Sequence, residues 1–297
     1  MLETLKKQHY VVVGNHSAVK PCLWLKKSIR GEGICYKQKF YGIESHRCMQ
    51  MTPSVGWCNH ACVFCWRNTE QSMGTQMSGF DDPKKILDEA ITAHQQALSG
   101  FGGSEAADKK KLAEALDPRH VAISLAGEPT LYEPLGELIG EIKRRDMTSY
   151  LVTNGTRPDR LSRLSNLPTQ LYMSLVAADI DTYKRVCNPQ SPGLWDKINE
   201  SLSLYPCLST RKVIRLTLVK DLNMRDVKAY ARLIEGAQPD FIEAKAYMFV
   251  GGSRKRLSMD NMPSHDEVKD FSYELAKHMS YKVCDEKTQS RVVLLGK

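Results

Sequence analysis

Apolar residues in this chain fall on two periods, and the switch between them marks its elements. Short, near-continuous apolar runs occur at 49–55, 120–125, 149–153, 170–176, 213–219 and 241–246. Runs of this length between turn residues predict strands buried on both faces, as in a parallel sheet covered by helices. Between them the spacing becomes helical. Ile86, Leu87, Ala90, Ile91, Ala97 and Leu98 recur at helical spacing after Asp82-Pro83, where proline suits the first turn. Further helices are expected at 135–145, 181–186, 194–204 and 227–235. Six strand–helix units predict an α/β fold, a partial (β/α)6 TIM-like barrel with its active residues at the C-terminal ends of the strands.

Both ends depart from this rhythm. Leu2, Leu5 and His9 hint at a helix, and Val11-Val12-Val13 is a short apolar run. A segment rich in lysine and glycine follows, with Lys26, Lys27, Arg30, Gly31, Gly33, Lys37 and Lys39. It predicts loops and short helices held by something other than a large core. Residues 99–111 form a polar insertion ending in three lysines. Pro263-Ser264-His265 opens a last helix, expected to run to about 279, and two strand-like runs at 281–284 and 291–295 are expected on the barrel rim. The expected division is an N-terminal extension at 1–48, a barrel at 49–255 and a C-terminal extension at 256–297.

With 297 residues, 42% hydrophobic and 26% charged, the chain has the composition of an ordinary globular protein. No apolar run approaches a membrane span, and the N-terminus, with Glu3 and no apolar centre, is unlike a secretory signal. A cytoplasmic protein is expected, so nine cysteines read as metal ligands or buried thiols rather than disulfides. Cys187, Cys207 and Cys284 stand alone and are expected to be small buried hydrophobes. A net charge of +8 favours a polyanionic partner without proving one.

Six of the nine cysteines fall before residue 66. Cys58, Cys62 and Cys65 form C-x3-C-x2-C, and thiolates this close converge on one soft metal centre. A cubane cluster held by three thiolates keeps one iron open. Structural zinc takes four protein ligands, and the one spare donor nearby is His60, inside the same short turn. The spacing therefore favours a 4Fe–4S cluster. C-x3-C-x-aromatic-C resembles the signature of the radical S-adenosylmethionine (radical SAM) superfamily, with Phe64 at the aromatic position near adenine. The resemblance implies that the open iron binds the amino and carboxylate groups of SAM. Reductive cleavage then yields methionine and a 5′-deoxyadenosyl radical. Ala126-Gly127-Glu128-Pro129 resembles the family's Gly-Gly-Glu-Pro element, which meets the SAM amino group, with Ala126 replacing the first glycine. Glycine admits close backbone approach and a glutamate accepts from an ammonium group. Asn154 and Ser174, at strand ends, are candidates for lining the SAM ribose or carboxylate. Arg215, on an apolar strand, needs a carboxylate, either an internal glutamate or that of SAM.

A second trio, Cys22, Cys35 and Cys48, is spaced at equal intervals. It predicts an auxiliary 4Fe–4S cluster with an open iron, and Cys35-Tyr36-Lys37 puts an amine beside it. These features, with Met51-Thr-Pro-Ser-Val-Gly-Trp57 leading into the first trio and Trp66-Arg67 following it, resemble the tRNA 4-demethylwyosine synthase family in its stand-alone archaeal form. The resemblance implies condensation of N1-methylguanosine beside the anticodon of tRNA-Phe with two carbons of pyruvate. The radical takes hydrogen from the N1-methyl group, the resulting methylene radical attacks the pyruvate carbonyl carbon, the carboxyl carbon leaves, and the third ring closes. Pyruvate is held either by the open auxiliary iron or as a Schiff base on Lys37. Eukaryotic members carry a flavodoxin-like domain that this chain lacks room for, so an external one-electron donor, flavodoxin- or ferredoxin-like, is expected; a monomer is expected as well.

Candidates for phosphate contacts are Lys26, Lys27, Arg30, Lys109 to Lys111, and Arg254, Lys255 and Arg256, the last run following the sixth strand. Trp57, Trp66 and Tyr36 flank cluster ligands and are candidates for stacking on a base. Two rival readings remain: a radical SAM enzyme acting on a peptide or small molecule, and a non-catalytic zinc-bound RNA-binding module.

Overall fold

The computed structural model describes residues 2–297, which divide into two compact units. The first comprises the chain up to Trp57, Gln76–Val152 and Leu164–Thr169; the second comprises Cys58–Thr75, Thr153–Arg163 and Gln170–Lys297.

The first unit opens with helix α1 (Leu2–Lys7) and a hairpin of β1 (Val11–Val13) and β2 (Ser17–Val19) that the apolar pattern did not predict. Three-residue strands are too short to display a period. The turn closes through Gly14 at φ 54°, and its Asn15 side chain donates to Asp81 at 2.7 Å. The hairpin pairs antiparallel with β3 (Cys48–Thr52), and β3, β4 (His120–Ile123) and β5 (Thr148–Thr153) run parallel. Helices α2 (Leu23–Ile29), α3 (Tyr36–Tyr41), α4 (Pro83–Leu98), α5 (Lys109–Ala115) and α6 (Leu135–Arg144) complete this unit. The Asp82 carboxylate caps α4, accepting from the Lys85 amide at 2.9 Å, with Pro83 in the first turn. The N-terminal extension shares a small core with α4 and the insertion that follows it. Leu25 and Ile29 pack with Leu98, Ala107, Leu112 and Ala115, so the expected polar insertion ends in a helix that covers α2.

In the second unit β6 (Gln170–Ser174), β7 (Arg211–Leu218) and β8 (Phe241–Ala246) run parallel, and β9 (Lys282–Lys287) and β10 (Val292–Gly296) extend them antiparallel in the order β8-β10-β9. The two terminal runs are thus sheet strands. Its helices are α7 (Pro158–Leu161), α8 (Ile180–Cys187), α9 (Leu194–Leu204), α10 (Val227–Ala237) and α11 (His265–Ala276). Ser264 and Glu267 close a capping box on α11, which ends three residues before the expected Met279. Buried tyrosines brace the strands: the Tyr205 hydroxyl lies 2.8 Å from the Leu171 carbonyl and 3.0 Å from that of Val213. Among the described residues no helix is long and apolar enough to cross a membrane.

Candidate metal centres and their surroundings

In the second unit, Cys58, Cys62 and Cys65 lie on a loop docked against the end of α8. The Ala61 amide donates to the carbonyls of Cys187 and Asn188 at 3.1 Å, and the Val63 amide to Val186 at 2.9 Å. These are carbonyls that a helix leaves unsatisfied at its C-terminus, so the loop serves as the cap. The Cys65 amide closes a turn onto the Cys62 carbonyl at 3.0 Å, and the Cys58 amide donates to Gly74 at 3.1 Å.

Arg256 grips the loop from its other side. Its guanidinium donates to the carbonyls of Val63 at 3.1 Å, Arg67 at 3.4 Å and Cys65, and to the Thr69 hydroxyl at 3.2 Å. A guanidinium spent on four oxygens of its own chain has little left for RNA phosphate, so Arg256 leaves the expected phosphate run and becomes a clamp. Arg254 and Lys255 remain exposed; Lys255 lies 3.8 Å from the equally exposed Glu70.

The sulfurs suit a cluster. The Cys62 thiol is pushed well up, first by its hydrogen bond with the Cys187 thiol and then by burial, and burial pushes Cys65 up while Arg67 opposes it. Free thiolates here are costly, and coordination to iron removes that cost by taking the thiolate as a ligand. Among the described residues the first trio is not completed into a zinc set. His60, Cys62 and Cys187 bring their ligand atoms within 4.8 Å of one another, but they include one cysteine of the motif. The His60 Nε2 is 2.7 Å from the Tyr183 hydroxyl, and burial lowers its pKa to about 3.

Asn154 sits beside this loop. Its Nδ2 donates to Asn59 Oδ1 at 2.8 Å and lies 4.0 Å from Cys58 Sγ, while its Oδ1 accepts from the Thr156 amide at 3.1 Å and hydroxyl at 2.6 Å. Asn59 closes the ring by donating to Thr156 at 2.6 Å. The following Gly155 has φ 75°, and a Cβ there would stand 2.5 Å from the Met173 methyl, so the turn after β5 needs glycine. Phe64 and Ser174 are half-buried, Ser174 at the end of β6. Opposite Ser174 on β7, Arg215 finds the internal partner of the two expected. It donates to the buried Glu243 on β8 at 3.0 and 2.7 Å and lies over the Tyr172 ring at 4.4 Å.

In the first unit the auxiliary trio is brought together by α2, α3 and β3. Cys22 and Cys35 occupy the positions preceding α2 and α3, and Cys48 begins β3. Cys22 Sγ accepts from the Leu25 amide at 3.3 Å, and the Cys35 amide donates to the Ser45 hydroxyl at 2.8 Å. Burial pushes both Cys22 and Cys48 up, with Lys37 pulling each down, and Cys48 also interacts with the Cys22 and Cys35 thiols. Lys37 is 8% exposed, its amine 5.1 Å from the centre of the Tyr150 ring. Cys48 in electrostatic reach of Cys22, Cys35 and the buried Lys37 amine is a donor set of the kind that an auxiliary cluster would use.

Gly127 and Glu128 occupy the loop after β4. Gly127 has φ 74°, and a Cβ there would stand 1.8 Å from the Ser54 carbonyl oxygen, so glycine is mandatory. Glu128, 2% exposed, accepts from the Thr130 amide at 3.1 Å and hydroxyl at 2.6 Å. The remaining candidates divide. Lys26 and Lys27 are half-buried on α2, Lys27 over the Trp24 ring, and Lys109 and Lys110 are exposed in the first turn of α5. Trp66 is exposed and Trp57 half-buried, but Tyr36 is buried beside Phe40 and is not a stacking platform. Cys187 is buried as expected; Cys207 and Cys284 are exposed, on a short turn and an outer strand. Arg67, Asn59, Thr156 and Cys187 are site residues that the sequence reading did not assign. Asn59 lies inside the first cysteine motif and Arg67 just after it, and nothing local marks the others.

A profile described as the radical SAM superfamily matches residues 52–234, and one described as wyosine base formation matches 236–297. A protein of Pyrococcus abyssi named S-adenosyl-L-methionine-dependent tRNA 4-demethylwyosine synthase is 52% identical over 295 residues, 98% of this chain and 86% of that protein. Its namesake in Pyrococcus horikoshii is 51% identical over 298 residues, 99% and 87% of the two chains. A solved structure described as TYW1 with a lysine-pyruvate adduct bound is 40% identical and superposes with a TM-score of 0.91, covering 99% of this chain and 94% of that one. The fold is therefore the α/β fold of the radical SAM core, with SAM and a 4Fe–4S cluster as the cofactors of that superfamily. On identity and coverage together, this chain belongs to the S-adenosyl-L-methionine-dependent tRNA 4-demethylwyosine synthase family.

Proposed function

We propose that this chain makes 4-demethylwyosine in tRNA, joining two carbons of pyruvate to N1-methylguanosine beside the anticodon of tRNA-Phe. The observation that carries the reading is Lys37, an amine 8% exposed, packed on Tyr150 and within electrostatic reach of Cys22 and Cys48. A 40% identical protein described with a lysine-pyruvate adduct supports giving that amine to pyruvate. When bound, SAM and a 4Fe–4S cluster on Cys58, Cys62 and Cys65 supply hydrogen abstraction from an unactivated methyl group.

The chain's own residues do the rest. Cys22, Cys35 and Cys48 hold an auxiliary 4Fe–4S cluster. The Lys37 amine adds to the keto carbon of pyruvate, and the keto oxygen leaves as water to give an imine; a desolvated lysine suits this role. Glu128 accepts from the SAM amino group, while the Asn59–Asn154–Thr156 ring holds the wall beside Cys58. Phe64 and Ser174 line the same cofactor, Ser174 opposite an Arg215 whose charge goes to Glu243. Arg254 and Lys255, with Lys26 and Lys27, contact tRNA phosphates. The same proposal takes residues 1–48 as the auxiliary-cluster segment, 49–255 as the radical core and 256–297 as its C-terminal extension. The protein acts as a cytoplasmic monomer fed by an external one-electron donor.

The test is reductive trapping. Anaerobically reconstituted protein is incubated with labelled pyruvate and borohydride and then mapped by mass spectrometry. The label is expected on Lys37, and lost in Lys37→Arg, which keeps the charge but forms no imine. An unlabelled protein whose iron spectrum still responds to pyruvate moves the substrate to the auxiliary iron. Absence of product from wild type given tRNA bearing N1-methylguanosine overturns the function itself.

A further inference from the structure

Arg67 is 8% exposed, and its Nε and NH1 have no hydrogen-bond partner. Its one side-chain bond is a long one, from NH2 to the His60 carbonyl at 3.4 Å. Among the described residues no carboxylate pairs with it. A buried guanidinium is always charged, and leaving its N–H groups without acceptors costs several kcal/mol in general. Its placement is enforced nonetheless. The Arg67 carbonyl accepts from Arg256, and Gly252 passes so close that a Cβ there would stand 2.5 Å from that oxygen. Arg67 follows Cys65 by two residues, and its bond to the His60 carbonyl ties the guanidinium to the segment between Cys58 and Cys62.

An acceptor that arrives with the cofactor resolves this. Three thiolates outweigh the charge of an oxidised cubane by one unit, and reduction adds another, so the centre is anionic and rich in sulfur acceptors. We infer that Arg67 sets the reduction potential of the cluster on Cys58, Cys62 and Cys65 by donating its two unpartnered N–H groups to the sulfurs of that centre. The inference rests on the cluster assignment above. Arg67 does not touch the tRNA or SAM in this account. It favours the reduced cluster because a fixed positive charge and N–H donors offset the added electron, and hydrogen bonds to sulfur are a principal control on such potentials.

The test is a potentiometric titration of wild type, Arg67→Gln and Arg67→Lys, followed by electron paramagnetic resonance. The signal of this cluster is identified by its response to SAM. Arg67→Gln is expected to disfavour the reduced form about tenfold, which is about 59 mV for one electron, and Arg67→Lys to recover most of the difference. Equal potentials in all three overturn the inference. So does an unchanged potential with weakened SAM binding, which would give the N–H groups to the SAM carboxylate. Should Arg67→Gln fail to hold iron, wild type carrying 15N-arginine is expected to show nitrogen hyperfine coupling to the reduced cluster without SAM, lost in Arg67→Lys; no coupling overturns the proposal. A Cys62→Ala variant that holds as much iron as wild type overturns the cluster assignment itself, and the inference with it.

Discussion

Removing the Cys62 sulfur takes a ligand from the first trio and leaves the buried Cys187 thiol without its partner. Removing Cys22 takes one from the second trio, where the sulfur also accepts from the Leu25 amide at the start of α2. The two substitutions are expected to separate. Cys62→Ala should abolish SAM cleavage, while Cys22→Ala should lose the auxiliary cluster, about four irons, and keep cleavage measurable. Iron and sulfide analysis beside a deoxyadenosine assay reads both. Equal iron in Cys22→Ala and wild type would mean that the N-terminal trio is three buried thiols. Roles at this scale come from neighbours: Arg215 reads as an unpaired charge along the chain and is a cross-strand ion pair with Glu243 in the fold.

At the scale of elements, the short helical segment Gly251–Lys255 and the following Arg256 lock the cluster loop. Gly251 has φ 60°, and a Cβ there would stand 2.4 Å from the Trp66 carbonyl oxygen. Alanine at such a backbone angle costs roughly 1 kcal/mol or more even without a clash. Gly251→Ala is therefore expected to push the loop away, so that reconstituted iron falls by about one cluster, with helical circular dichroism unchanged. The control is Gly236→Ala on α10, where a Cβ meets nothing within 4 Å and iron should be unaffected. Full loading of Gly251→Ala would show that the loop holds its shape without this support.

For the molecule as a whole, a net charge of +8 matters only through where it is spent. Arg256 is occupied by carbonyls, whereas Arg254 and Lys255 face solvent. The double substitution Arg254→Ala, Lys255→Ala is expected to weaken tRNA binding and to reduce the slope of log affinity against log salt by about 1 to 2, since each neutralised phosphate contributes roughly 0.7 to 0.9. SAM cleavage without tRNA should not change. Titrations at several salt concentrations decide it, and an unchanged slope returns both residues to ordinary solvated surface.

The three parallel strands of each unit, the start of α4 and the first cysteine trio were legible because each is written within a few residues. Backbone hydrogen bonding enforces the strand and helix periods, and C-x3-C-x2-C places three sulfurs on one loop whatever surrounds it. Intervals of a dozen residues carry no such information. That Cys48 comes within electrostatic reach of Cys22, Cys35 and Lys37 depends on where the fold puts α2, α3 and β3, and of these α2 is held by a small core shared with α4 and α5. The short β1–β2 hairpin, the exposure of Cys207 and Cys284 and the burial of Tyr36 were decided in the same way. So was the diversion of Arg256 to oxygens almost two hundred positions earlier in the chain. A side chain's partner is whatever acceptor packing brings within reach, and for charged residues far apart in sequence only the tertiary structure names it.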